Sequence, residues 1–450
     1  MHGPFPRLVT SVPGPRSLAL WDRERQVIAP GLQSVTQWAR VSFSHGQGAI
    51  LFDVDGNAVI DFMAGIGVCS IGHGHPKHAQ AIADQAAKLA AGSFTSEPRV
   101  ELLETLREVL PKHLSRIQLY SGGAEAVEAA LRLARCATRK SMVVSFWGGY
   151  HGKTEGTRPL SEGEQTGYGL PAPGSHAVPY ANPYRCPFEC GGACTRACTH
   201  FLRQSVEHGS NREIAAIIVE PIQGRGGNIV PPVGFLREIQ QAARDLNALL
   251  IVDEMITGFC RTGRFFGFMH EEGVEPDILI MGKGFGNGFP ISGVAAREEV
   301  ARAEPWAKPS GNSSSYGGNA LAAAAALATI GVLREERLDQ HAAELGNFML
   351  EELRRVTRDV PMVGEVRGKG LLLGIELVRD RISRAPLARE EMRRLFTALL
   401  GQGLLAMPSG SALRINPPLV ITREQAASGI EILGRVLASA PEILKDTTNE

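Results

Sequence analysis

Apolar and polar positions change their rhythm several times along the chain. Residues 17–27 carry a short amphipathic pattern inside a stretch punctuated by proline and glycine. Residues 48–62 alternate apolar and polar around Asp55-Gly56, which predicts a β-hairpin. A glycine-rich segment follows, MAGIGVCSIGHGHP, in which backbone can approach a ligand closely. Helical spacing then predicts helices over 77–91 and 99–110. From about 115 onward short apolar runs alternate with helical pattern. The runs 117–119, 142–146, 216–219, 249–252, 278–281 and 291–295 are bounded by turn residues and read as strands. Runs this apolar and β-branched suit strands buried on both faces of a parallel sheet. Residues 125–134 and the alanine-rich 320–332 read as core helices, and strands are expected at 371–376 and 413–415 between further helices. The predicted architecture is α/β, with a mostly parallel doubly wound large domain and a smaller α+β C-terminal domain. The expected divisions are 1–75 as arm and hairpin, 76–330 as large domain and 331–450 as small domain.

Composition narrows the function classes. Lysine plus arginine balances aspartate plus glutamate at 47 each, so no electrostatic argument exists for nucleic acid or an anionic membrane surface. No apolar run approaches the roughly 20 residues of a membrane span. The N-terminus lacks a charged start followed by an apolar stretch, so a cytoplasmic protein is expected. Seven cysteines in 450 residues do not make a disulfide scaffold. No segment repeats at a fixed period.

Two strand ends carry the candidate chemistry. The run 249–252 leads into Asp253-Glu254, and the run 278–281 leads into Gly282-Lys283-Gly284. In open α/β sheets ligand groups sit just beyond the carboxyl ends of strands. An acid and a lysine delivered to one crevice suit pyridoxal phosphate chemistry: the lysine bonds the cofactor aldehyde, and the carboxylate keeps the pyridine nitrogen protonated. On these two residues alone, a loop lysine and a helix-capping aspartate account for the pair equally well.

The whole stretch 249–296, with DE, TGF, RTGRFFGF, EPDI, GKG and FP in that order, closely resembles the signature of the class III, or ω-type, aminotransferases, among them the 4-aminobutyrate aminotransferases. That resemblance implies fold type I and pyridoxal 5'-phosphate as cofactor. It also implies Lys283 as the lysine that carries the cofactor and Asp253 as the partner of its ring nitrogen. SGGAEAVEAALRLAR, a glycine turn opening a helix, resembles the family's phosphate turn, with Gly123 and Ala124 as donors. FWGGYHGKT resembles the YHGRT motif and implies that Tyr150 stacks on the cofactor ring. Lys153 stands where relatives acting on 4-aminobutyrate have an arginine for the distal carboxylate, and lysine offers no bidentate fork. Ile256 stands where several relatives have a glutamine bonded to the ring hydroxyl. SSYGGN resembles the segment whose hydroxyl, here Ser315, reaches the phosphate of a neighbouring subunit, which implies at least a homodimer. Glu220 in VEPIQGRGG and Arg414 in LRINPPL match a pair in which the arginine binds a substrate carboxylate and the glutamate neutralises it when none is present. Ile66, Phe94 and Trp147 are expected near the substrate. The activity implied is amino transfer from an amine or ω-amino acid to a 2-oxo acid, pyruvate or 2-oxoglutarate.

Other readings compete. Some relatives epimerise amino acids on the same fold. An inactive scaffold on this fold would not need Lys283, Asp253 and the phosphate turn intact. Cys186, Cys190, Cys194 and Cys198 recur every fourth residue and His73 and His75 form a His-x-His, but neither matches a zinc spacing. No metal is expected.

Overall fold

The computed structural model describes residues 5–163, 167–190 and 194–445. Two compact units divide the chain, Met1–Pro76 with Gln340–Glu450, and Lys77–Asp339.

The first unit begins with helix Pro15–Glu24 and three antiparallel strands, β1 (Phe43–Gln47), β2 (Ile50–Asp53) and β3 (Ala58–Asp61). The predicted hairpin is β2–β3. Its turn holds because Asp53 Oδ1 accepts the N–H groups of Asp55 (2.9 Å) and Asn57 (2.8 Å), and because Gly56 takes φ +93°, a left-handed conformation open to glycine.

The second unit is built on seven strands. They are β4 (Arg116–Tyr120), β5 (Met142–Phe146), β6 (Ser175–Val178), β7 (Ile214–Val219), β8 (Leu249–Asp253), β9 (Ile278–Met281) and β10 (Ser292–Ala296). Their order is β4-β10-β9-β8-β7-β5-β6. Pairing is parallel from β6 through β9, while β10 runs antiparallel to both its neighbours. β7, β9 and β10 are buried at every residue. Burial on both faces is why their sequences are continuous apolar runs rather than alternating ones. Helix Gly123–Thr138 lays Ala126, Ala130, Leu133 and Ala134 into the core shared with Ile218, Ile251 and Ile280. Helix Ala320–Glu335 starts at Asn319, whose side chain accepts the Ala322 N–H at 2.9 Å. The edge strand β6 was not expected. It is SHAV, with one neighbour and only its last residue buried, so no apolar run marks it.

The C-terminal segment adds β11 (Val363–Lys369), β12 (Leu372–Leu377), β13 (Leu404–Leu405), β14 (Met407–Ser409) and β15 (Ala412–Ile415). β11-β12-β15-β14 form an antiparallel sheet. β13 instead pairs in parallel with β3, and Val12, Val35 and Ala39 share a core with Phe396, Leu400 and Leu405. The N-terminal 75 residues are therefore not a separate arm. They complete the C-terminal unit, a pairing between segments some 340 residues apart that local pattern cannot reveal. Among the described residues no helix is long and apolar enough to cross a membrane.

Candidate active site

Asp253 closes β8 with its side chain 1 % exposed. One carboxylate oxygen, Oδ1, accepts the N–H of Met255 at 2.9 Å. The other, Oδ2, lies 2.7 Å from Nδ1 of His151, itself 1 % exposed. Burial alone would pull the imidazole below its ordinary value. The hydrogen bond and charge of Asp253, with the charge of Glu220, override that and raise it. His151 is thus a cationic donor to Asp253. Its backbone is fixed by an N–H to Ser161 Oγ bond of 2.8 Å.

β9 lies beside β8 with Asp253 in register with Ile280, and Lys283 follows three residues later. Lys283 takes φ +45°, a left-handed conformation that costs a non-glycine residue about 1–2 kcal/mol. Gly282 before it has extended backbone, but a Cβ there would lie 2.3 Å from the Met255 sulfur. Behind the lysine turn, Phe285 stacks on Phe259 at 4.9 Å with planes 8° apart. Phe259 and the adjoining Cys260 also take positive φ, +55° and +69°. Glu254 ties this segment down, accepting the Thr257 hydroxyl and the N–H groups of Gly267 (2.8 Å) and Phe268 (2.7 Å). Burial pushes its carboxyl up to about 7 despite those three donors.

The glycine turn after β4 opens the 16-residue helix Gly123–Thr138. Glu125 Oε2 accepts the N–H groups of Ser121 (3.0 Å) and Gly122 (3.3 Å). The next two N–H groups, of Gly123 and Ala124, stand in the first turn, where a helix offers no acceptor of its own. Space is tight there: a Cβ on Gly123 would meet Met255 at 3.2 Å, and one on Gly152 would meet Ala124 Cβ at 2.7 Å.

Glu220 closes β7. Its two oxygens accept the N–H groups of Tyr150 (2.9 Å) and Gly224 (3.0 Å). Burial raises its carboxyl; His151 lowers it, and Asp253 raises it. The Tyr150 ring has the Arg225 guanidinium 5.6 Å from its centroid. Ile256 is buried, with its side chain about the backbone of Gly224.

The fold therefore gathers Asp253, Glu220 and Tyr150 around His151, and sets Gly123 against Met255, which also crowds Gly282. Lys153 and Ser315 are exposed on the same unit. Ile66, at φ +69°, and Arg414 belong to the other unit. Arg414 is buried on β15 with Nη2 2.6 Å from the Met407 sulfur. His73 bonds Asp61 at 2.7 Å. Among the described residues no three His, Cys, Asp or Glu side chains are arranged to hold a metal ion. The sequence reading missed His151, although it adjoins Tyr150 in the same motif. Its only signal there was adjacency, because its partner lies 102 residues away.

These residues fit pyridoxal phosphate. Asp253 is a buried carboxylate at a strand end, held by a cation. Gly123 and Ala124 present N–H groups at a helix N-terminus. Gly123 and Gly282 both lie against the end of the Met255 side chain, between the glycine turn and the lysine.

Residues 33–437 match the model of the family described as aminotransferase class-III. The acetylornithine aminotransferase of Methanothermobacter thermautotrophicus is 38% identical over 88% of this chain and 94% of its own. An alanine/serine racemase of Pyrococcus horikoshii is 32% identical over 96% of this chain and 93% of its own. The solved ornithine aminotransferase from Toxoplasma gondii superposes with a TM-score of 0.83 at 31% identity, covering 95% of this chain and 96% of that one. With its strand-end lysine and buried aspartate, the chain belongs to the class III aminotransferases, pyridoxal-phosphate enzymes of fold type I that transfer amino groups.

Proposed function

We propose that this enzyme takes an amino group from an amine or ω-amino acid and passes it to pyruvate or 2-oxoglutarate, with Lys283 and Asp253 as its catalytic residues. The observation that carries the assignment is the placement of Asp253 at the end of β8 and of Lys283 just beyond the adjacent parallel β9, with a buried histidine beside the aspartate. Bound pyridoxal phosphate supplies an electron sink for the charge released at the donor carbon. Lys283 Nζ takes the proton from that carbon. Asp253 would hold a proton on the ring nitrogen, and His151 orients Asp253 through its 2.7 Å hydrogen bond. The N–H groups of Gly123 and Ala124 would hold the phosphate, and Tyr150 and Ile256 would hold the ring.

Arg414 supplies the planar fork for the acceptor's carboxylate, a role that rests on its match to the family motif. Glu220 is the acid that answers such a fork when the donor has no carboxylate there. Its support is the anchoring of its carboxylate by Tyr150 and Gly224. Ile66 and Lys153 are assigned to the donor by their match to the family's substrate positions. A single ammonium at 153 favours donors other than 4-aminobutyrate. Ser315, exposed on its own subunit, reaches the phosphate of a second copy, so the working unit is at least a homodimer. Seven unpaired cysteines suit a reducing compartment such as the cytoplasm.

A donor panel tests this reading. Arylalkyl amines, ω-amino acids and N-acylated diamino acids are each offered with pyruvate and with 2-oxoglutarate, and the amino acid formed is quantified. Formation of alanine or glutamate with at least one donor class supports it. Racemisation of an amino acid with no acceptor consumed overturns it.

A further inference from the structure

The antiparallel sheet β11-β12-β15-β14 holds a buried charge cluster that the proposed reaction does not use. Pairing puts Arg367 of β11 opposite Gly374 of β12, and Gly374 opposite Arg414 of β15. Directly paired residues project from the same face of a sheet, so Arg367 and Arg414 flank a residue that has no side chain. Two positions further along β12, on that same face, stands Glu376, paired with Glu365 on one side and Ala412 on the other. Two acids directly opposite one another repel. Arg367 bridges them: its Nη1 donates to Glu365 Oε2 and its Nη2 to Glu376 Oε2, each at 2.7 Å. The Ser411 hydroxyl donates to the other oxygen of Glu376, Oε1, at 3.1 Å. Only 7 % of the Arg367 side chain and 5 % of the Glu376 side chain are exposed, so water does little to screen either charge. Arg414 is buried as well. The register gives Glu376 the same diagonal relation to Arg414 as to Arg367. Diagonal neighbours in a sheet lie about 7–8 Å apart, within reach of long side chains. Two buried arginines therefore stand within reach of one buried glutamate, and the glutamate is bonded to Arg367.

We propose that Arg367 is a positioning residue for the amino acceptor: by holding Glu376, it keeps that carboxylate from competing with a 2-oxo acid for the Arg414 guanidinium. The inference rests on the assignment of Arg414 to the acceptor's carboxylate. A carboxylate seated on a guanidinium occupies the same planar donor set that a substrate carboxylate needs. Without Arg367, Glu376 becomes a buried charge that has lost its cation, and leaving such a charge unpaired is costly. Arg414 is a cation within its reach on the same face, so the glutamate turns to it. The acceptor then has to displace Glu376 before it binds. An amine donor without a carboxylate makes no use of the fork, so the donor half of the reaction does not feel the change.

The test follows the two half-reactions of the cofactor-loaded enzyme separately. The acceptor KM is measured with pyruvate and with 2-oxoglutarate, and the donor half-reaction as carbonyl formed per active site from an arylalkyl amine. Arg367→Met is expected to raise the acceptor KM about tenfold or more, the scale of one charge-assisted hydrogen bond, and to leave the donor half-reaction unchanged. Arg367→Gln, neutral but polar, is expected to shift KM in the same direction and keeps the test decisive if the methionine variant does not fold. Arg367→Lys still offers Glu376 a cation and is expected to stay near the wild type. Adding Glu376→Gln to Arg367→Met removes the competing charge and is expected to return the acceptor KM toward the wild type, whatever the melting temperature of the double variant. An unchanged acceptor KM in both neutral variants overturns the proposal. So does a rise that Glu376→Gln fails to reverse, or one matched by an equal slowing of the donor half-reaction, which is the mark of a merely structural role. Arg414→Lys separates the two claims. An unchanged acceptor KM in that variant sinks the role of Arg414 and this inference with it, whereas a raised KM there, with the Arg367 variants like the wild type, sinks this inference alone.

Discussion

His151 donates to Asp253 across 2.7 Å with both side chains 1 % exposed, and the Glu220 carboxylate is close enough to act on both. Two buried carboxylates thus share one imidazolium. In the proposed mechanism Asp253 is the partner of the cofactor's ring nitrogen. In a dry pocket beside a second acid, the imidazole of His151 is the charged partner that both carboxyl groups face.

Replacing His151 by glutamine strands the Asp253 charge. Breaking a buried pair by removing one partner costs about 3–5 kcal/mol, so denaturant unfolding of the cofactor-free protein is expected to show a loss of that order. The pH dependence has a definite sign. The folded-state value of His151 is raised above the ordinary imidazole value of 6.5, so its contribution is fully present below 6.5 and lost as pH rises through the folded value. The gap between wild type and H151Q is expected to shrink as pH rises. A gap that widens would contradict the cationic assignment.

Lys283 is held in a conformation that suits glycine better. Both Lys283→Ala and Lys283→Gly are expected to abolish amino transfer and the visible absorbance of bound cofactor. Thermal unfolding separates them, because glycine relieves the strain at φ +45° and alanine keeps it. The glycine variant is expected to be more stable by about 1 kcal/mol. Equal stabilities would show that the turn relaxes once the lysine is gone.

A methyl group at Gly282 would have to displace the end of the Met255 side chain. Gly282→Ala sets a Cβ against the Met255 sulfur, and overpacking of this kind costs about 1–3 kcal/mol. Met255→Ala in the same chain is expected to restore part of that loss, since it removes the clashing atoms. A double variant no better than the sum of its singles would place the strain elsewhere.

Glu254 gives a second pH signature. Its folded value of about 7 lies above the ordinary glutamate value of 4.5, so the folded protein keeps a proton that the unfolded chain releases. That contribution is fully present below 4.5 and lost as pH rises through about 7. Glu254→Gln cannot titrate and leaves a backbone N–H facing an amide, which costs about 1–3 kcal/mol. Melting curves from pH 5 to 8 are expected to show wild-type stability falling toward the variant's.

Much of the large sheet is legible in the sequence because its strands are buried on both faces. The runs 249–252 and 278–281 became β8 and β9 almost residue for residue. What was not legible depends on partners far along the chain. β6 is an edge strand without an apolar run. β11, VGEVRGK, is polar and broken by glycine. β13 is two residues long and exists only because β3 accepts it. The same holds at the site. Lys283 and Asp253 announce themselves by motif and by strand ends, whereas the role of His151 depends on a contact across 102 residues.

The most direct test of the account is a single turnover without acceptor. The cofactor-loaded enzyme is mixed with an excess of one amine donor, and the carbonyl product is counted. The account predicts one carbonyl per active site and then a halt until pyruvate or 2-oxoglutarate is added. Continued reaction without acceptor, with the substrate losing its optical purity and no carbonyl accumulating, would contradict it and make the enzyme a racemase.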